Sequence, residues 1–460
     1  VTAAVAAARV ARSRPGVVLV VASVVTATAS LVAPATLTFD PWAWLVWGRE
    51  LGRLDLDTTG GPAWKPLPVL LSTVYAPFGS AAPALWMITA RAAGLLALAG
   101  TYRLAARVAG PVAGVVAVAV LLLAPDGDPR FLRLVGEAHG ALLPVAALVF
   151  AADAALDGRR RRVLWLVWVA ALSRPEAWPF LAVAAAWCWH GGSSRREVVG
   201  VLASVPLLWF GFDWWGSGEP WHGAEQAQVG LGDPVGGRTL EALGVIGAMV
   251  VAPAWVAAGV AVVTGRRDGA RPLARLGVAA LVWCAVVVGM ALVLGYAAIS
   301  RFVLPAAAII AVLAGVGVVR AAAAVRGTGR PAVTALAALV AVAALGLVLP
   351  RVAGLADMAD LVADRGALAD DLEQVLDDAG GRDALVACTG TVAAEATLLR
   401  PSVAWLLDLP LHRVPPAPPD GPGVMVARSG GRWDADTTAR PGAVTLARSP
   451  DWVVVAVDCP

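Results

Sequence analysis

The sequence predicts a mainly α-helical, polytopic membrane bundle of about eleven transmembrane helices, followed by a small C-terminal α/β domain outside the membrane. Three observations carry this expectation. Hydrophobic residues make up 59% of the 460 and charged residues only 15%, against about 25% charged in soluble domains. Packing such an excess into one soluble core leaves too little polar surface to cover it. Apolar windows near the roughly 20 residues that cross a bilayer recur along the chain, and mean hydropathy is +0.73. After Pro350 the composition changes, residues 351–460 holding 9 Arg and 16 acids. The net charge of +3 points to no nucleic-acid partner, because the one dense basic run, Arg159 to Arg162, is short.

The windows fall near 16–38, 83–105, 110–125, 138–156, 163–173, 177–190, 198–213, 243–264, 276–299, 302–319 and 331–350. The first follows Arg9, Arg12 and Arg14 but is longer than a usual signal-peptide apolar region, so it reads as a span. The window at 163–173 is short, which suggests a broken or re-entrant element there. Charge orients the whole. With the N-terminus cytoplasmic, 18 of the 27 Lys and Arg in residues 1–350 fall on the inner side, among them Arg103, Arg107, Arg159 to Arg162 and Arg320. Of the 17 acids there, 13 fall outside. This is the positive-inside pattern, and with an odd number of spans it puts the C-terminal domain outside the cytoplasm.

That leaves a transmembrane domain at 1–350, with its first outer loop at 39–82, and a small extracytoplasmic domain at 351–460. In the latter, Met358–Leu376 alternates apolar and acidic residues at helical spacing. The β-branched runs Ala384–Cys388, Val424–Ala427 and Trp452–Val457 read as strands. Cys388 and Cys459 both lie in this region and can pair in an oxidising compartment, whereas Cys188 and Cys284 sit in apolar windows as packing residues. One lysine, Lys65, and no asparagine accompany abundant Arg, Ala, Val and Gly, the codon signature of a GC-rich bacterial genome. The expected location is therefore a bacterial inner membrane.

Function must come from polar residues at the outer ends of the spans. Asp40 stands where the chain leaves the first span, a costly place for a carboxylate unless it is used or paired. Before Pro41 it also suits a helix N-cap, and the two roles are compatible. Trp42, Trp44, Trp47 and Trp64 read as interfacial anchors before sugar-stacking platforms. In the second outer loop Asp126 and Asp128 suit turns, and Glu137 and His139 open a span. Ser173-Arg174-Pro175-Glu176 resembles a capping box, which accounts for Glu176 but not for Arg174. A guanidinium at that depth needs an anion, and Arg301, without an acid within four residues, poses the same demand. The aromatic loop around Trp215 lacks a nucleotide-binding glycine pattern and suits either an acceptor or the interface. An Asp/Glu/His set of this kind is compatible with a divalent cation such as Mg or Mn, though no spacing marks a dedicated cage.

The order of Asp40, an amphipathic helix, Lys65-Pro66-Leu67-Pro68, an aromatic segment and Ala90-Arg91-Ala92-Ala93-Gly94 resembles the bacterial aminoarabinose transferases and protein O-mannosyltransferases. These are GT-C glycosyltransferases, which take polyprenyl-phosphate sugars on the outer membrane face. The detailed match covers about residues 16–110; beyond it lies a likeness of span order. The chain departs from the family in following Asp40 with Pro41, where a second acid is common. Tyr296 to Pro305 looks like the Arg-Tyr/Phe-x-x-Pro segment of GT-C mannosyl- and arabinosyltransferases.

The resemblance implies an inverting glycosyltransferase that moves a mannose- or arabinofuranose-type sugar to an envelope glycan, lipid or protein. Asp40 and Glu137 would be catalytic, Lys65, Arg301 and Arg174 would hold the donor phosphate, and His139, Glu176, Trp64 and Trp215 would contact substrate. A transporter or flippase of a lipid-linked precursor is the alternative from another class. Transporters, however, place ionisable groups near the bilayer midplane and show repeats, and here the polar residues gather at span ends. A non-catalytic envelope-assembly scaffold is the third reading.

Overall fold

In the computed structural model, residues 15–124, 130–228, 235–297, 299–395, 399–418 and 421–459 are described. Twenty helices follow in chain order: α1 Pro15–Ala29, α2 Phe39–Gly52, α3 Pro66–Tyr75, α4 Ala82–Ala109, α5 Pro111–Leu122, α6 Arg130–Gly136 and α7 Leu142–Leu156. Next come α8 Arg160–Ala171, α9 Trp178–His190, α10 Arg195–Pro206, α11 Phe212–Ser217, α12 His222–Gln226, α13 Val235–Gly247 and α14 Ala252–Arg267. The last are α15 Arg271–Val293, α16 Ser300–Thr328, α17 Pro331–Asp378, α18 Gly381–Val386, α19 Arg400–Leu406 and α20 Arg432–Thr438. Each of the eleven apolar windows contains helix. Six helical stretches are long and apolar enough to cross a membrane, and a seventh if α13 and α14, bent by 76°, form one broken span. That is the one such bent pair among the described residues, and the short window at 163–173 is the separate short helix α8, followed by α9.

The core sits on α16, which packs against α4, α5, α14 and α15. Its residues from Val303 to Gly317 are buried and rich in alanine, which lets neighbours approach closely. Gly317 shows how closely: a Cβ there would meet the Ala257 carbonyl oxygen at 1.8 Å. By contrast, α1 and the first half of α17 expose valine and leucine along their length, among them Leu339 and Val342. Such surfaces belong in lipid, and the protein is a multi-pass membrane protein.

The C-terminal region carries a four-stranded sheet of β1 Val392–Ala394, β2 Gly423–Arg428, β3 Ala443–Arg448 and β4 Trp452–Val457, in the order β1-β2-β4-β3. β1 and β2 are parallel and the other pairs antiparallel. Two of the three expected strands are there. Residues 384–386 instead finish α18, and β1 begins at Val392, past the turn at Gly390. β3 is largely exposed along its length and carries no buried alternation to read in advance. Cys388 and Cys459 form a disulfide with Cα atoms 5.3 Å apart. α17 runs unbroken through Pro350, carrying the chain from the apolar half to the acidic half in one rod.

Charge is segregated along the bundle. Where α4 and α7 end, Asp153 accepts from Arg103 at 2.9 Å and Arg107 at 3.0 Å. Asp40, His139 and Arg301 lie at the other end. There Arg91 of α4 is buried and caps the end of α1, donating to the Ser30 carbonyl, to Ser30 Oγ (3.1 Å) and to the Pro34 carbonyl (2.9 Å). This fork fixes the path of the chain into α2. Arg91→Leu is expected to destabilise the detergent-solubilised protein by about 1–3 kcal/mol, because buried carbonyls lose their donor. A thermal melt unchanged from wild type would show that the fork is dispensable.

Candidate functional site

α2 begins at Phe39, so Asp40 sits inside its first turn and is not the cap. Its carboxylate, only 6% exposed, accepts from Lys65 Nζ at 3.1 Å and faces Arg301 Nη1 at 3.5 Å. Lys65 immediately precedes α3, where Pro66 at the first helical position needs no amide partner. Its ammonium also lies over the Trp44 ring, 5.1 Å from the centroid. Arg301 opens α16 and reaches His139 Nε2 at 2.8 Å. Behind it Arg174 is buried, bonded to Glu176 at 3.4 Å and lying over Phe302 at 4.3 Å, with its second nitrogen 3.5 Å from the Arg301 carbonyl. Ser173 turns its hydroxyl back to Val169, so Glu176 is not the arm of a capping box but the partner of Arg174.

Six of the residues singled out in the sequence therefore converge: Asp40, Lys65, His139, Arg174, Glu176 and Arg301. Burial opposes charge on Asp40, Lys65, His139 and Arg174. It would raise the Asp40 carboxyl, yet Lys65 and Arg301 outweigh it and hold this group well below the usual carboxylate range. Lys65 is pushed down to about 8 by burial, with Asp40 resisting and Arg301 and Arg174 adding repulsion. His139 lies well below the usual imidazole range through burial and Arg301, and is neutral. Glu50, ten residues on along α2, goes the other way: burial pushes it up to about 8 against the Asp57 amide and the Arg49 charge.

His139 is held in a tight turn. Ala138 adopts a left-handed backbone (φ +47°), a conformation costing about 1–2 kcal/mol for a residue with a Cβ. The Trp86 indole donates to the Ala138 carbonyl at 2.9 Å and keeps it there. Gly140 follows because a Cβ would lie 2.6 Å from the Trp44 ring.

A cavity of about 760 Å³ opens over Asp40, His139 and Arg301, with Lys65, Arg174 and Glu176 behind its lining. Asp40, His139 and Arg301 form one wall, and Arg365, Arg428 and Trp452 of the C-terminal region form the facing one. Glu137 also lines it but is engaged, accepting from Arg133 at 2.8 Å and from Arg365. Trp64 and Trp215 do not reach the cavity. Trp64 is fully buried between Trp47 and Phe212 and donates to the Leu208 carbonyl at 3.0 Å. Trp215 is half-exposed beside Phe212. Trp44, Trp47 and Trp64 are thus internal pillars and not interfacial anchors. Asp126 and Asp128 lie outside the described residues. Among the described residues no three His, Cys, Asp or Glu side chains gather as metal ligands. Asp40 suits a divalent cation poorly, since two protein cations already face its carboxylate.

Arg365 and Arg428 escaped the sequence reading. The signal for Arg365 was present, as the lone basic residue among the acids of Met358–Leu376; nothing local marks Arg428.

No protein-family model matches the chain, and no curated protein matches it. Among solved structures, the crystal structure of ArnT from Cupriavidus metallidurans bound to undecaprenyl phosphate is similar, with a TM-score of 0.57 and 17% identity over 96% of this chain and 98% of that one. The apo form of the same protein gives 0.54 and 18%, over 97% and 98%. An Archaeoglobus fulgidus oligosaccharyltransferase is a more distant match at 0.47 and 13%, over 89% and 65%. ArnT is an aminoarabinose transferase, and it and the oligosaccharyltransferase are GT-C glycosyltransferases. The likeness of fold to ArnT thus extends over nearly the whole chain, beyond the residues 16–110 that carried the detailed resemblance.

Removing Asp40 leaves buried cations facing one another. Asp40→Ala is expected to cost about 3–5 kcal/mol of stability, Lys65→Met less because Arg301 remains, and the double variant less than Asp40→Ala alone. Unfolding of the four proteins in detergent reads this order. A double variant as unstable as Asp40→Ala would mean that the pairing is not what Asp40 contributes.

Proposed function

We propose that the protein is an inverting, polyprenyl-phosphate-sugar-dependent glycosyltransferase working on the outer face of a bacterial plasma membrane. One observation carries the reading: a buried carboxylate lines a large cavity beside Arg301 and takes Lys65 and Arg301 on one oxygen, in a fold shared with a protein whose crystal structure holds undecaprenyl phosphate. In this reading the N-terminus is cytoplasmic and the disulfide-bonded C-terminal domain outside, with α5, α7, α8 and α9 counted towards eleven spans. The donor sugar is of the mannose or arabinofuranose type, and the acceptor is an envelope glycan, lipid or protein.

The mechanism follows from the residue types. A sugar on a lipid phosphate brings its own leaving group, so no nucleotide is required. Asp40 takes the proton of the acceptor hydroxyl while that oxygen attacks the anomeric carbon from the face opposite the phosphate. The electron pair of the breaking carbon–oxygen bond passes to the phosphate, where Lys65 and Arg301, backed by Arg174, stabilise it. Asp40 is a weak base while both cations hold it. An arriving phosphate competes for Lys65 and Arg301, and the carboxylate they release becomes more basic. Base activation is thereby tied to donor binding. Glu137 lines the same cavity, held by Arg133 and Arg365, and in this reading orients the acceptor.

Two outcomes test this in proteoliposomes supplied with undecaprenyl- and decaprenyl-phosphate mannose and arabinofuranose. Asp40→Asn should lower transfer by roughly 10²–10⁴-fold while keeping lipid-phosphate binding; unimpaired transfer would remove Asp40 as base. In the wild type, kcat/KM should fall as pH rises through about 8, because Lys65 loses its charge there, and Lys65→Arg should move that decline upward. A wild-type profile flat to pH 10 would remove Lys65 from phosphate binding. Lipid movement across the bilayer without transfer would favour a flippase.

A further inference from the structure

The two ring nitrogens of His139 make contacts that no single protonation state can satisfy. Nδ1 accepts the backbone N–H of Ala141 at 3.0 Å. Nε2 lies 2.8 Å from Arg301 Nη1. An amide nitrogen and a guanidinium nitrogen both donate and never accept, and a neutral imidazole has one lone pair to offer. One contact is therefore frustrated in either tautomer, and an imidazolium would frustrate both.

The partners are not equally able to give way. Ala141 is the residue before α7, and its backbone is set by the turn at Ala138 and Gly140. Arg301 is a long side chain, partly exposed at the cavity wall, whose Nη1 has the Asp40 carboxylate as its other partner at 3.5 Å. The tautomer that satisfies the fixed partner carries its proton on Nε2, towards the cavity and beside the Arg301 N–H. Two donors then converge on one point, and what completes them is an anionic oxygen.

We propose that His139, fixed by the Ala141 amide in its Nε2–H tautomer, acts with Arg301 as a neutral hydrogen-bond donor to an oxygen of the lipid phosphate. The proposal rests on the reading of the cavity as a polyprenyl-phosphate site. It makes His139 a binder of the leaving group and not its acid. The imidazole gives up no proton, since that would leave an imidazolate; the acceptor's proton goes to Asp40 and the electron pair to the phosphate. Neutrality suits the place, because a fourth cation beside Lys65, Arg174 and Arg301 would be repelled.

The test is nitrogen NMR of the full chain in nanodiscs, ¹⁵N-labelled at its 4 histidines, with His139 assigned by loss of its signals in His139→Gln. Between pH 5 and 8 the lipid-free protein should show a neutral ring protonated at Nε2, and undecaprenyl phosphate should shift the Nε2 signal. A ring protonated at Nδ1, a ring that titrates in this range, or an Nε2 signal indifferent to bound lipid overturns the proposal. Binding supplies the second readout. His139→Ala should weaken undecaprenyl phosphate roughly tenfold, the lower range for a hydrogen bond to a charged group. His139→Gln, whose amide N–H reaches the Nε2 position, should stay within about threefold of wild type. Equal losses, or none, overturn the role. If the wild type itself fails to bind the lipid phosphate, the functional reading falls and this role with it; if the wild type binds and both variants match it, only the role of His139 falls.

Discussion

The buried charge on Asp40 is the constraint around which the outer end of the bundle is arranged. An isolated carboxylate at such a depth costs several kcal/mol, and it is kept only by partners. Those partners come from far apart, Lys65 from the next loop and Arg301 from the start of α16. Each is itself held. Lys65 rests on Trp44, Trp44 packs edge-on against Trp86 at 5.3 Å, and Trp86 bonds the Ala138 carbonyl. From Ala138 the chain passes to His139, which meets Arg301, which returns to Asp40. The loop is closed. Aromatic packing buries its inner side, and burial makes each electrostatic contact there stronger.

Closure also explains why tryptophan abounds where a sugar-binding site invites stacking platforms. Trp44, Trp47, Trp64 and Trp86 are at most 1% exposed. They set distances between α2, α3 and α4 and stay out of the cavity, whose aromatic lining comes from Phe39, Trp42 and Trp452. A phosphate is met by cations and N–H donors, not by ring faces, so an aromatic scaffold behind a cationic wall is consistent chemistry for a lipid-phosphate site.

The sequence was most legible where charge was scarce. In a chain so apolar, Asp40, Lys65, Arg174, His139 and Arg301 each stood out as an expense in need of a reason, and all of them meet at one end of the bundle. The helices were legible for the same reason, because apolar windows bounded by arginine leave few alternatives. What stayed hidden depended on tertiary contact. No local pattern distinguishes Trp64 as a pillar from Trp64 as a platform. Glu137 looked available until Arg133 and Arg365 came to it, the second from more than two hundred residues away. Residues 384–386 have β-branched character yet end a helix, since six residues of mixed propensity are settled by what they pack against.

The cavity's two walls come from parts of the chain under different demands. The inner wall is the closed loop of buried charges, where a change at one member disturbs the rest. The facing wall comes from α17, α19, β2 and β4, whose side chains are more exposed and pair outside the loop, as Arg428 does with Asp451 and Trp452. The walls keep register through Arg49 of α2, which donates to the Leu409 carbonyl at 2.8 Å and pairs with Asp408 at 2.9 Å, and through Asp57 against His412 at 2.5 Å. Under the proposed function, donor handling belongs to the first wall and acceptor choice to the second. The second can then vary in charge and shape without unseating Asp40, whereas Lys65 cannot be exchanged without changing the protonation of the whole cluster.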